Sequence, residues 1–108
     1  MVKYNTSLDN VFRSLADPTR RDIIQRVSQG ELSVGQLVVS YEMSFPAITK
    51  HLNVLESSQL ITKRKEGRNT YISLNPQTLQ HVDIYLERFR QMWEQRFNKL
   101  NKVLEEDI

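Results

Sequence analysis

The chain contains no cysteine, which excludes disulfides and every thiolate metal site and suits a reducing cytosol. Its glycines number only three and are scattered, so no phosphate-cradling loop can form. No run is apolar for long enough to cross a bilayer, and the opening MVKYNTSLDN lacks the apolar core of a signal peptide. A soluble cytoplasmic protein without a membrane partner is therefore expected. Charge of one sign is scarce too: 15 basic against 13 acidic side chains leave a net +2, too even for the total to point to any partner. There is no Cys/His pair, no obvious carboxylate pair and only two histidines, so neither an enzyme nor a cofactor is expected. At 108 residues the chain is read as one domain, 1–108, whose modest core would gain from burial against a second copy.

What is present lies in the distribution. Lys63, Arg64, Lys65 and Arg68 crowd one short stretch against a single acid, Glu66, while Glu105, Glu106 and Asp107 stand at the far end. Leu8, Val11, Phe12 and Leu15 recur at helical spacing and predict a first helix to about Ala16. Asp17-Pro18 supplies an N-cap and a first-turn proline for a second helix, with Ile23, Ile24 and Val27 as its buried stripe and Gly30 as its stop. Ser33 and Gln36 have capping-box spacing and open a short third helix. Ser44 can cap a fourth, in which Pro46 is tolerated because it falls in the first turn. On that fourth helix Ile48, Leu52 and Leu55 share a narrow arc, and Pro46, Lys50 and Asn53 project from roughly the opposite side.

Residues 61–65 and 70–74 read as two strands around Gly67, which can take the positive φ of a tight hairpin. Asn75-Pro76 repeats the cap-plus-proline device and launches a long final helix. Its apolar positions, Leu79, Val82, Leu86, Phe89, Trp93, Leu100 and Val103, step by threes and fours except where Arg96 interrupts, which makes a seam for another helix. The expected class is mainly α with a small β-hairpin. A helix able to enter a groove, followed by a cationic hairpin able to grip phosphates, describes a DNA reader.

The segments LADPTRRDII at 15–24, ELSVGQL at 31–37, AITKHLNVLESSQLI at 47–61 and KEGRNTYISL at 65–74 together resemble the ArsR/SmtB family of winged helix-turn-helix repressors. The resemblance implies four helices, a hairpin wing and a terminal helix, in a homodimer that binds double-stranded DNA at a pseudopalindromic operator, usually its own. Helix 44–57 and wing 62–74 would hold the DNA, with two symmetric reading helices about 34 Å apart meeting successive major grooves. The positions matching the family's DNA-facing ones are Ser44, Pro46, Ala47, Thr49, Lys50 and His51 on the helix, and Lys63, Arg64, Lys65, Arg68 and Asn69 around the wing. The first and last helices would pair between subunits through Leu8, Val11, Phe12, Leu79, Val82, Leu86, Phe89, Trp93 and Leu100. The WEQRFNKL of the final helix is similar to a cysteine-poor branch whose members are often not metal sensors.

Each of these residues has a plainer reading. Lys50 lies on the outward face, which favours a phosphate or base contact over a merely solvated lysine. His51 flanks the buried stripe, so packing against the preceding helix and contacting a phosphate both stay open. Thr49, at the edge of the outward face, suits a phosphate, whereas Asn53 stands late in the helix. Charge runs are usually solvated faces, but these wing cations follow directly on a reading helix. Arg20 and Arg21 are expected to orient the second helix rather than to touch DNA.

The family's third-helix metal site needs two cysteines where this chain has Ser33 and Gly35, and near its terminal-helix site stand only His81 and Asp83. No regulatory metal is expected. Phe89, Met92 and Trp93 are read as packing, and as the one plausible lining for a small apolar effector. The rival readings are a winged-helix module that docks on protein, against which the concentrated cations argue, and a metal-responsive derepressor. No effector is named by the sequence.

Overall fold

The computed structural model describes residues 6–106. Helices α1 (Thr6–Ser14), α2 (Pro18–Val27), α3 (Val34–Tyr41) and α4 (Phe45–Ser57) precede the hairpin of β2 (Ile61–Glu66) and β3 (Asn69–Leu74), and α5 (Pro76–Glu106) closes the chain. A two-residue strand, β1 (Leu32–Ser33), stands before α3. The chain up to Thr78 packs as one unit, and Leu79 onward forms a second.

Helix α1 stops at Ser14, two residues short of the expected Ala16. Its last carbonyls are taken by arginines of the next helix: Arg20 Nε donates to Ser14 O at 2.6 Å, and Arg21 Nη1 donates to Leu15 O at 2.8 Å. Carbonyls left over at a helix end need such partners, so the two arginines act as a C-terminal cap for α1 as well as members of α2. Asp17 caps α2 as expected, accepting the Arg20 N–H at 3.0 Å, and that hydrogen bond is the main cause holding its carboxyl below the usual range. Both halves of the capping box form at α3: Ser33 Oγ accepts the Gln36 N–H at 3.2 Å, and Gln36 Oε1 accepts the Ser33 N–H at 2.8 Å.

Between α3 and α4 the chain turns in three residues, with Glu42 in the left-handed region at φ 53°. Ser44 then accepts the Ala47 N–H at 3.2 Å and starts α4. A short turn between two packed helices is the helix-turn-helix arrangement. At the far end of α4, Leu60 N donates to Leu55 O and Gln59 N to Glu56 O, at 3.0 and 2.9 Å. This is a Schellman ending, with Gln59 at φ 63° where glycine is usual. It reverses the chain into β2, so the geometry of this turn fixes where the hairpin stands relative to α4.

The sheet has three antiparallel strands in the order β1-β3-β2 rather than the expected two. Leu32 pairs with Ile72 and Ser33 with Tyr71, so the edge of β3 away from β2 is covered. Two residues cannot display an alternation, which is why β1 leaves no trace in the sequence pattern. The hairpin strands each run one residue further than expected and meet at Gly67-Arg68. Gly67 takes φ 61° at the first central position, the place glycine holds in a type II′ turn.

Ile23, Leu37, Ile48, Leu55, Leu60, Ile61 and Ile72 are fully buried, so every element from α2 to β3 except β1 supplies the core. Val11, expected at a dimer face, joins them at 2% exposure within its own chain. Within α5, Leu86, Phe89, Trp93, Phe97, Leu100 and Val103 are exposed, Trp93 stacks on Phe97 with centroids 5.8 Å apart, and Arg90 bridges Asp83 and Glu87. Among the described residues no helix is long and apolar enough to cross a membrane. The fold is a winged helix-turn-helix, mainly α with a small sheet.

Candidate nucleic-acid interface

The buried arc Ile48, Leu52 and Leu55 anchors one side of α4 and thereby decides what the other side presents. Pro46 and Lys50 are exposed, Ala47 and Thr49 half-buried, and Ser44 stands exposed at the cap. Lys50 has no ion-pair or hydrogen-bond partner among the described residues. Its ammonium is therefore available to an external anion.

His51 faces the other way. Its Nδ1 lies 3.8 Å from Asp17 Oδ2 and 3.5 Å from Arg20 Nη1, with only 21% of the side chain exposed. This geometry sets the ring beside the start of α2, one helix earlier than the α3 that directly precedes α4. Asp17 and Arg20 thus form a polar joint that carries both the end of α1 and the side of the reading helix.

The four wing cations are not equivalent, because side chains alternate across a strand. Lys63 and Lys65 share the face of buried Ile61, and Arg64 lies on the opposite face with Tyr71 across the ladder. Lys63 turns back onto α4, donating to Asn53 Oδ1 at 2.6 Å and lying 3.5 Å from Glu56 Oε1. Arg64 donates to Glu31 Oε1 at 2.7 Å, pairs with Glu66, and lies over the Tyr71 ring at 4.8 Å. These hydrogen bonds hold the Arg64 guanidinium well above its ordinary pKa, and they hold the Glu31 carboxyl below its own, helped by the Ser73 hydroxyl. Lys65 and Arg68 are exposed and have no such partner among the described residues. Asn69 is exposed at the start of β3, beside the turn.

Sequence reasoning missed Glu31, Asn53 and Glu56 as the groups that hold Arg64 and Lys63. Asn53 and Glu56 sit one turn apart on α4, a spacing that could have been noticed. Glu31 is 33 residues from Arg64, with no local signal joining them. Of the positions expected at a dimer face, Leu8 and Leu79 are half-buried, Val82 is buried, and Phe12, Leu86, Phe89, Trp93 and Leu100 are exposed. Ser33 is occupied in its capping box, His81 is exposed, and Asp83 is paired with Arg90. Among the described residues no three His, Asp or Glu side chains gather into a group that could hold a metal ion.

The fold that carries this helix face and wing recurs in known proteins. Residues 17–63 match the family model described as bacterial regulatory protein, arsR family. The transcriptional repressor SdpR of Bacillus subtilis is 36% identical over 73 residues, which cover 68% of this chain and 81% of SdpR. An ArsR-like transcriptional regulator from Rhodococcus sp. RHA1 superposes with a TM-score of 0.73 at 29% identity, covering 93% of this chain and 92% of that one. The homodimeric winged helix-turn-helix DNA-binding domain Mb0332 of Mycobacterium bovis shares the fold with a TM-score of 0.65 at 21% identity, covering 83% and 84%. Fold, helix order and sequence agree, and the chain belongs to the ArsR family of bacterial regulatory proteins.

Proposed function

We propose that this DNA-binding regulator is a cytoplasmic homodimeric repressor, acting as one winged-helix domain with dimerising terminal helices, and that it holds a pseudopalindromic operator through α4 and the wing. The observation that carries the reading is a set of cations without partners among the described residues, Lys50 on the outward face of α4 with Lys65 and Arg68 on the wing. Lys50, with Ser44, Pro46, Ala47 and Thr49 around it, reads the groove, while Lys65, Arg68 and Asn69 grip phosphates. Lys63, Arg64 and His51 shape this surface from behind more than they touch DNA. SdpR is named a repressor, which supports the direction of control. The Mycobacterium bovis relative is a homodimer, and the exposed seam Leu86, Phe89, Trp93 and Leu100 of α5 offers a second copy the apolar surface it needs.

The test is fluorescence anisotropy of a labelled duplex taken from upstream of the chain's own reading frame, titrated at two salt concentrations beside a scrambled duplex. Lys50→Ala should lose affinity for the upstream duplex and most of the discrimination between the two. Absence of binding at low salt would sink the reading and leave a protein-docking module in its place.

A further inference from the structure

A groove of about 790 Å³ runs between α1 and α4, a size ordinary for small-molecule sites. Phe45, Pro46 and Val54 give it an apolar surface, and Phe45 and Val54 are 60% and 36% exposed, so this surface is left open within the chain. At its base the two helices are tied together where Ser14 Oγ donates to Val54 O at 3.5 Å. Two cations border it, Arg13 from α1 and Lys50 from α4, and among the described residues no carboxylate lines it. Neither cation has an acidic partner among the described residues. An apolar slot with two unpaired positive groups at its edge is complementary to one chemistry, an organic anion with a short apolar body.

We propose that this groove binds a small alkyl or aryl carboxylate, its body against Phe45 and Val54 and its carboxylate between Arg13 and Lys50, and that this occupant and DNA exclude one another. The exclusion rests on the DNA-binding reading above, because Pro46, Thr49 and Lys50 belong both to the groove and to the outward face of the reading helix. A carboxylate held by Lys50 neutralises the ammonium that the operator needs and places the ligand on the face that would enter the DNA groove. The ligand is thereby an inducer that acts by direct competition, with no movement of the fold required.

The probe is sodium octanoate, with 1-octanol as its uncharged control, titrated calorimetrically into the full chain without DNA. Saturable octanoate binding is expected, absent for octanol, weakened about tenfold by Arg13→Ala, abolished by Val54→Glu and unchanged by Arg68→Ala. Added to the upstream duplex assay at ten times its own dissociation constant, octanoate should weaken DNA binding by about a hundredfold, about tenfold for each of the two protomers' grooves that must be empty. No saturable binding, equal binding of octanol, or indifference to both groove substitutions overturns the site. Binding that leaves duplex affinity unchanged overturns the exclusion. Loss of duplex affinity in Arg13→Ala without any octanoate binding would make the groove a seat for a DNA phosphate instead. The calorimetric titration contains no DNA, so it decides the groove even if the duplex assay fails, and a failed groove leaves the Lys50 and Arg68 results on DNA standing.

Discussion

The reading helix and the wing both carry cations, yet the fold controls them by different means. On α4 the direction of Lys50 follows from burial: Ile48 and Leu52 at 0% and 1% exposure fix the helix rotation, and the opposite face has to look outward. On the wing, burial decides much less, because four of the six β2 residues are exposed and only Ile61 is buried. There the strand register sorts cations onto two faces, and carboxylates on other elements then hold some of them back. A local pattern was enough for the helix, whereas the wing needed tertiary structure.

The largest effect should come from removing what rotates the helix. Leu52→Ala leaves a cavity under α4 and should cost about 2–5 kcal/mol, a large part of the stability of a small domain. Urea denaturation measures it, and DNA affinity should fall in step with the folded fraction. A Leu52→Ala protein of unchanged midpoint would mean that α4 is oriented by its caps alone.

Next in size is the wing. Lys65→Ala with Arg68→Ala should weaken every duplex by at least tenfold at moderate salt, and in a homodimer should flatten the logarithmic salt dependence by up to roughly 3 to 4, from about 0.9 per phosphate contact. Arg64→Ala, by contrast, removes a cation already facing Glu31 and Glu66 and should change the slope far less. Equal slopes for the double variant and for Arg64→Ala would erase the distinction between the two faces of the hairpin.

A smaller loss is expected at the cap of α4. Ser44→Ala deprives the Ala47 N–H of its acceptor and should cost about 1 kcal/mol. Affinity measured well below the melting transition tells whether Ser44 also touches DNA. A drop there beyond the stability loss would assign it a second role on the operator.

Much of the fold was legible because its signals are local. Caps at Asp17, Ser33 and Ser44, prolines at 18 and 46, and the stripe Ile48, Leu52, Leu55 each concern residues within a turn or two of one another, and each stands where expected. Strand β1 was not legible, since Leu32 and Ser33 become a strand only by pairing with Ile72 and Tyr71. Val11 illustrates a different limit: helical spacing marks it as apolar and inward, but spacing cannot say whether inward means its own core or a partner. The sorting of the wing cations failed for the same reason as β1. Arg64 and Lys65 are adjacent in sequence and alike in charge, and only the register and Glu31 separate them.

Glu31 therefore supplies the finest test, and its expected effect is the smallest. The Arg64 guanidinium is the chief cause holding the Glu31 carboxyl below the ordinary glutamate range, and the Ser73 hydroxyl adds to it. A carboxyl whose folded pKa is depressed contributes stability that is present above its unfolded pKa and lost as pH falls through the folded one. The pair is thus intact at neutral pH, and the Arg64 charge stays engaged by the carboxylate there. Glu31→Gln keeps the shape and removes the charge, so the acid-side decline of the melting temperature should be shallower than in the parent, by a small amount because exposed pairs contribute little. On DNA the same change frees part of the Arg64 charge, and the salt dependence should steepen by at most about 0.9 per protomer. If the slope does not move while the acid decline does, then Glu66 and the Tyr71 ring suffice to hold Arg64, and the division of the wing is set by the strand register itself rather than by the distant carboxylate.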